Sequence, residues 1–305
     1  MCCGGSAVRP PAPARFTGRC AVAVTPATRR VFPFRAVGAS VARMGTRGAI
    51  RDHAILMAGA VVMGLPLWLA LMAATREGSV GLLPGEALQG NLDTLARRLD
   101  AAGPSLGGML GTSALAALWV GLLTTAASFL AAFAMVFARL SAWPFWLSLA
   151  TLSFPVEARM IPTFEVAAAL RLVDTLGGLV LPVLPLAVGT FAFRQHLATL
   201  PPELAEAARL DGAGPLRFLR DFAVPLSWPM IGAVFAVAFT LGWNQYLWPL
   251  MISVDNAQFT LMRGFGLLGG GTGASFMLAA ISLLPPLALV AVALRLWRGS
   301  GSWRT

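Results

Sequence analysis

Three groups of residues in this 305-residue chain have types and spacings that could do more than pack. The first is Leu200-Pro201-Pro202-Glu203-Leu204-Ala205-Glu206-Ala207-Ala208-Arg209-Leu210-Asp211-Gly212-Ala213-Gly214-Pro215 and its continuation to Pro225. Pro at the start of a helix sacrifices no intrahelical bond, and acids there complement the helix dipole, so a short helix is predicted to begin at the Pro pair. Gly212 and Gly214-Pro215 stop it and turn the chain. A second short helix follows, with Leu216, Leu219 and Phe222 on one side and Arg217, Arg220 and Asp221 off it. Such a helix-turn-helix suits insertion into a groove on another protein; the other reading is a loop lying on a membrane surface.

The second group is Glu157 and Arg159, set between Pro155 and Pro162 in a largely apolar stretch. Ionisable groups at membrane depth are costly and point to function. A guanidinium there could hold a phosphate through its planar fork; the alternative is a structural ion pair or a side chain reaching for the membrane edge. The third group is Asn244, Gln245 and Tyr246, the only Tyr, with Trp248 one helical turn beyond Asn244. Polar side chains in a span either line a pathway or bond helices together.

Other chemistries lack their residues. There is no G-x-x-x-x-G-K-[ST] loop to cradle nucleotide phosphates and no paired catalytic carboxylates. The three Cys (Cys2, Cys3, Cys20) have neither Cys-x-x-Cys nor Cys/His spacing, and His53 and His196 stand alone. The chain is therefore expected to bind no metal and no cofactor and to catalyse no reaction itself.

The elements that position these groups are membrane spans. The composition is 57% hydrophobic and 12% charged, against about 25% charged in soluble domains, and the mean hydropathy is +0.74. This excludes a soluble enzyme. A net charge of +10 raises the question of nucleic acid. However, nine Arg (Arg9, Arg15, Arg19, Arg29, Arg30, Arg35, Arg43, Arg47, Arg51) lie in the first 51 positions, which hold no acid, so the rest is close to neutral. No nucleic-acid partner is expected.

Six apolar segments are long enough to cross a bilayer: Ala54–Ala74, Ala101–Ala138, one opening at Leu140–Val156, Thr175–Phe193, Phe222–Val254 and Gly264–Leu294. An unbroken third helix from Ser141 would carry Glu157 and Arg159 to about 24–27 Å along its axis, in the outer half of the membrane. Arg collects before the first segment, after the second (Arg139), after the fourth (Arg194, Arg209, Arg217, Arg220) and at the C-terminus, so both termini and the helix-turn-helix are expected in the cytoplasm. Residues 1–43, rich in Arg, Ala and Pro, have no apolar core of their own and are neither secretory signal nor span. They are expected to be a low-complexity extension, with Met44 as the working start; a transit peptide and a twin-arginine signal are the other readings. The transmembrane domain is then 44–305, with the loop at about 197–226.

Glu206-Ala207-Ala208, three residues, Gly212, nine residues and Phe222-x-Val224-Pro225 resemble the E-A-A-x3-G-x9-I-x-L-P coupling motif of ABC importer permeases, with Phe222 and Val224 in place of Ile and Leu. The resemblance runs from about residue 50 to about 298 and is of the carbohydrate type. Phe154 to Thr163, Phe193-Arg194-Gln195 and Gly242 to Leu250 look similar to permeases of sn-glycerol 3-phosphate importers.

This resemblance implies an all-α, six-span permease of the bacterial inner membrane with a cytoplasmic coupling helix-turn-helix between spans four and five. It implies a homologous second permease, an ATPase dimer that holds ATP and Mg, and a periplasmic substrate-binding protein. Glu206, Ala207, Ala208, Asp211, Gly212 and Pro225 become the coupling residues, the Ala pair allowing close approach. Glu157, Arg159, Asn244, Gln245 and Trp248 become candidates for the translocation path. The implied cargo is sn-glycerol 3-phosphate or a glycerophosphodiester, with a sugar or oligosaccharide as alternative. An ion-coupled secondary transporter, the alternative of another class, would carry midplane acids in broken helices and would leave the loop without a role.

Overall fold

The computed structural model describes residues 46–299, apart from Gly78, Val80, residues 138–140, Ala142, residues 152–154 and residues 185–186. The expected extension (1–43), the Cys residues, Phe154 and Arg139 lie outside these. Two units are distinguished, Met1–Gly59 and Ala60–Thr305. Within the first, the described residues begin helix α1 (Thr46–Ala74), which continues into the second.

The described residues form helices joined by turns and short irregular segments, with no strand among them. After α1 come α2 (Leu88–Ala102), α3 (Leu106–Phe137), α4 (Trp143–Thr151), α5 (Val156–Ala169), α6 (Leu176–Val180) and α7 (Ala187–Leu197). Then follow α8 (Pro202–Leu210), α9 (Pro215–Leu226), α10 (Trp228–Trp243), α11 (Leu247–Ile252), α12 (Leu261–Leu268) and α13 (Gly273–Gly299).

Of the six expected spans, three are single long apolar helices: Arg51–Ala74, Leu106–Phe137 and Gly273–Arg295. Two more are bent pairs, Leu176–Val183 with Ala187–Leu197 at 54° and Pro215–Leu226 with Trp228–Trp243 at 78°. The third expected span corresponds to α4 and α5, of 9 and 14 residues, each short of the roughly 20 needed to cross alone. Among the described residues the number of crossings is thus three, or up to five if each bent pair counts as one.

Several expected boundaries move for identifiable reasons. The run Ala101–Ala138 is cut at Gly103, whose φ of +107° suits glycine, and Pro104; Ser105 then accepts the Gly108 amide at 3.1 Å and starts α3. The segment before it, between the first two apolar runs, contains α2. Asn91, Leu95 and Leu99 form its buried stripe, with Asn91 donating to the carbonyls of Ala74 and Arg76 at 2.9 Å each. A buried Asn in that stripe conceals the helical period from a hydrophobicity count. The Phe222–Val254 run ends its helix at Trp243, because Pro249 cannot donate to the Gln245 carbonyl four residues back and the chain unwinds between.

Helix α3 is central: it packs along α10 and α7 through small buried residues, among them Ala117 beside Gly242 and Ser128 beside Gly189. Small side chains let helix backbones approach closely where lipid supplies no hydrophobic drive between helices. The limit is reached at Gly242, where a Cβ would lie 3.0 Å from Val120 Cβ and 3.1 Å from Ala117 Cα.

Helix α13 holds a Pro pair, Pro285-Pro286, and Pro286 deprives the Ser282 carbonyl of its intrahelical donor. Trp243 Nε1 donates to that carbonyl at 3.0 Å and, buried itself, ties α10 to α13. Trp243→Phe should therefore cost about 1–3 kcal/mol by leaving a buried carbonyl unpaired. Thermal unfolding of the detergent-solubilised protein checks this, and an unchanged melting temperature would contradict it.

Candidate functional site

The segment 200–226 folds as two helices around a tight turn. Pro201 has extended backbone (φ −58°, ψ 128°), Pro202 opens α8 and Glu203 lies in its first turn. At the other end the chain reverses through a pair of nested bonds: Gly212 N donates to Arg209 O at 3.0 Å and Ala213 N to Ala208 O at 2.8 Å. This is the Schellman arrangement, and it needs a left-handed residue between, which Gly212 supplies at φ +73°. Nothing lies within 4 Å of a Cβ built there, so the demand for Gly is conformational and not steric.

Helix α9 differs from expectation. Its middle, Leu219–Ala223, is a π-helical stretch, and the added residue per turn changes which side chains face inward. The predicted apolar side of Leu216, Leu219 and Phe222 is split: Leu216 is 77% exposed, while Phe218 is buried at 7%. Phe218 meets Phe137 edge-on at 5.0 Å between centroids and stacks on Phe222 at 5.6 Å, with Phe133 at 6.2 Å. The sequence signal was present as two i, i+4 aromatic pairs, Phe133/Phe137 on α3 and Phe218/Phe222 on α9.

The Ala pair is also split. Ala208 is buried at 3% beside Phe133, Phe137 and Phe218, lining a small cavity of about 120 Å³, whereas Ala207 is exposed. Of the two, Ala207 alone is free to meet a partner, and Ala208 is small so that α8 can lie against α3 and α9. Glu206, Asp211, Gly212 and Pro225 are exposed, as are Leu210 (89%) and Leu216, one on each side of the turn. Arg217 pairs with Asp221 at 3.6 Å on the outer side of α9, a surface contact of small energetic consequence.

The remaining candidates do not converge on one point. Glu157 and Arg159 sit exposed in the first turn of α5, which begins just after the extended Pro155; they are not partway along an unbroken helix from Ser141. Neither makes an ion pair among the described residues. Asn244 is exposed as the cap of α10 and Gln245 is half-buried, its amide nitrogen on the Gly242 carbonyl at 3.3 Å. Trp248 belongs to α11, beyond the break, so it does not share a helical face with Asn244. It is buried, and its Nε1 donates to Gly178 O at 2.9 Å.

Residues 124–297, from the middle of α3 to the last turns of α13, match the family described as "binding-protein-dependent transport system inner membrane component". The chain belongs to this family. Every candidate residue named above, the 200–226 segment included, falls inside the matched region of this inner-membrane component.

Similar proteins include the sn-glycerol-3-phosphate transport system permease protein UgpE of Agrobacterium fabrum, 37% identical over 264 residues, with 80% of this chain and 92% of that protein covered. The protein of the same name from Salmonella typhimurium is 40% identical over 259 residues, covering 79% and 91%, and that of Brucella abortus is 36% identical over 260 residues, covering 80% and 92%. Among solved structures, a chain of a bacterial ABC transporter involved in the import of the acidic polysaccharide alginate superposes with a TM-score of 0.62 at 16% identity, covering 81% of this component and 95% of that chain. The component thus has the ABC-importer permease fold, and it is a multi-pass transport subunit of the inner membrane.

Proposed function

We propose that this chain is the permease through which sn-glycerol 3-phosphate, or a glycerophosphodiester, crosses the inner membrane. One observation carries the reading: relatives from several genera, 36–40% identical over about four-fifths of the chain, are named for sn-glycerol-3-phosphate transport. A six-span topology with both termini cytoplasmic agrees with the Arg distribution, with α4 and α5 together making the third crossing. The chain pairs with a second permease and receives cargo from a periplasmic binding protein. ATP and Mg are held by the ATPase dimer.

In this reading α8 and the turn at Gly212 seat in a cleft of the ATPase, with Glu206, Ala207 and Asp211 at the contact and Leu210 and Leu216 as apolar anchors beside them. ATPase closure then tilts the loop, and α9 and α10 move with it. Pro225 lies just before the bend at Ser227 where that tilt reaches the membrane. Glu157, Arg159, Asn244, Gln245 and Trp248 belong to the path, Arg159 offering a guanidinium to a phosphate.

Uptake into cells carrying the whole transporter, with labelled sn-glycerol 3-phosphate competed by unlabelled glycerophosphodiesters and sugars, tests the cargo. Uptake blocked by glycerophosphodiesters and not by sugars is the expected result. Competition by sugars alone would replace this cargo with a saccharide.

A further inference from the structure

The turn that follows α11 is held from two sides by charged residues that the coupling and path assignments leave unused. From one side comes Asp174, in the loop between α5 and α6. Its amide donates to Ile252 O at 3.0 Å, and its carboxylate Oδ1 accepts the amides of Val254 and Asp255, the latter at 2.7 Å. From the other side comes Arg263, in the first turn of α12. Its Nη1 donates to the carbonyls of Pro249 at 3.1 Å, Leu250 at 3.0 Å and Ser253, and its guanidinium lies over the Phe259 ring at 3.9 Å from the centroid. These carbonyls lie at the C-terminal end of α11, where a cation is the favoured partner. No salt bridge of 4.0 Å or less joins Asp174 to Arg263 among the described residues; each grips the backbone of residues 249–255 separately.

The cost of this arrangement is visible in the loop that carries Asp174. Both Arg171 (φ +59°) and Asp174 (φ +56°) are left-handed, a conformation that non-glycine residues hold only where their surroundings enforce it. Thr175 caps α6 by accepting the Gly178 amide at 3.0 Å, and Gly178 in turn offers its carbonyl to Trp248 of α11. A six-residue helix whose C-terminal end is held by Asp174 and Arg263, and whose second residue, Trp248, is tied to α6, has little freedom. At its other end begins the unwound segment Asn244-Gln245-Tyr246, the polar interruption of an otherwise apolar run.

We propose that Asp174 and Arg263 are positioning residues that clamp the end of α11 and so fix the Asn244–Tyr246 break in the geometry the cargo meets; this rests on that break lining the path. Because both clamp one turn, losing either releases it, and losing the second adds little. A carboxamide at 174 keeps an oxygen for the two amides. A Lys at 263, by contrast, keeps a cation but has no planar guanidinium that can lie over the Phe259 ring while its terminal nitrogen meets the carbonyls.

The test is uptake kinetics in cells carrying the whole transporter, with the amount of inserted permease measured in each strain. The cargo is whichever of sn-glycerol 3-phosphate and the competing sugars the wild type carries. A sugar result would thus remove the cargo assignment and still leave this proposal testable. Asp174→Ala and Arg263→Ala are expected to raise KM about tenfold, with Vmax per inserted permease within about twofold of wild type. Asp174→Asn should return KM to within about twofold, and the double Ala variant should exceed the worse single by less than about threefold. An unchanged KM in the single Ala variants, or a double variant that multiplies the two effects to about a hundredfold, overturns the proposal. Should the Ala variants fail to insert, the conservative pair decides: KM raised by Arg263→Lys and not by Asp174→Asn supports the clamp, and Arg263→Lys behaving as wild type overturns it.

Discussion

Glu206→Lys is expected to reduce uptake at least about 100-fold while the permease inserts normally and melts within a degree or two of wild type. The two halves of that result have separate causes. Glu206 is exposed on α8 and takes part in no salt bridge among the described residues, so its replacement breaks no ion pair there. Exposed substitutions of this kind usually change stability by less than about 0.5 kcal/mol. The functional half follows from the proposed seat of α8 in the ATPase: a reversed charge in a tight cleft costs several kcal/mol through like-charge contact or desolvation without a partner. Uptake and ATPase activity are measured together in reconstituted vesicles. ATP hydrolysis that still responds to cargo in the variant would remove Glu206 from the coupling surface. Gly212→Val, which opposes the left-handed turn by about 1–2 kcal/mol, should weaken coupling for a different reason, and Gly212→Asn should be the mildest replacement because Asn enters that conformation readily.

Phe218→Ala should have the opposite character, acting through stability. Its ring is buried among Phe133, Phe137 and Phe222, and together with Ala208 these join α3, α8 and α9. Truncating a buried Phe costs about 3–5 kcal/mol, part of it from the cavity left behind. The site already holds a void of about 120 Å³, so refilling by small shifts is limited. The expected result is a clear fall in the melting temperature of the solubilised permease, with uptake lost in proportion to the protein that disappears from the membrane. Full stability after this truncation would mean that the aromatic cluster does not hold the loop.

The difference between these two residues shows what the sequence made legible. Pro201-Pro202, the acids after them and Gly212 are local signals, and α8, its Schellman turn and the start of α9 follow from them without reference to the rest of the chain. Phe218 was harder to read: its aromatic pairing with Phe222 is in the sequence, but its burial comes from Phe133 and Phe137 on α3, far earlier in the chain, and the π-helical stretch after it departs from the period a helix count assumes. The same division holds in the membrane. Long apolar runs announced α1, α3 and α13, but a hydropathy run has no view of where Gly103-Pro104 or Pro249 interrupts the backbone. Trp248 was therefore assigned to the same helix as Asn244. Asp174 and Arg263 escape the sequence for a related reason: their partners are backbone groups, which a reading of side-chain types cannot see.

The turn at Gly212 has a consequence for how any partner recognises it. With the Gly212 and Ala213 amides committed to the end of α8, the tip of the loop has few main-chain donors to offer outward. An interlocutor must distinguish this permease from others almost wholly by the side chains displayed there, since the peptide framework beneath them would be common to any sequence that closes the same turn. If α8 seats in the ATPase as proposed, affinity for one ATPase or another is then a matter of vocabulary and not of grammar. Exchanging the exposed residues of α8 and the flanking Leu210 and Leu216 should be enough to transfer allegiance between transporters without redesigning the loop.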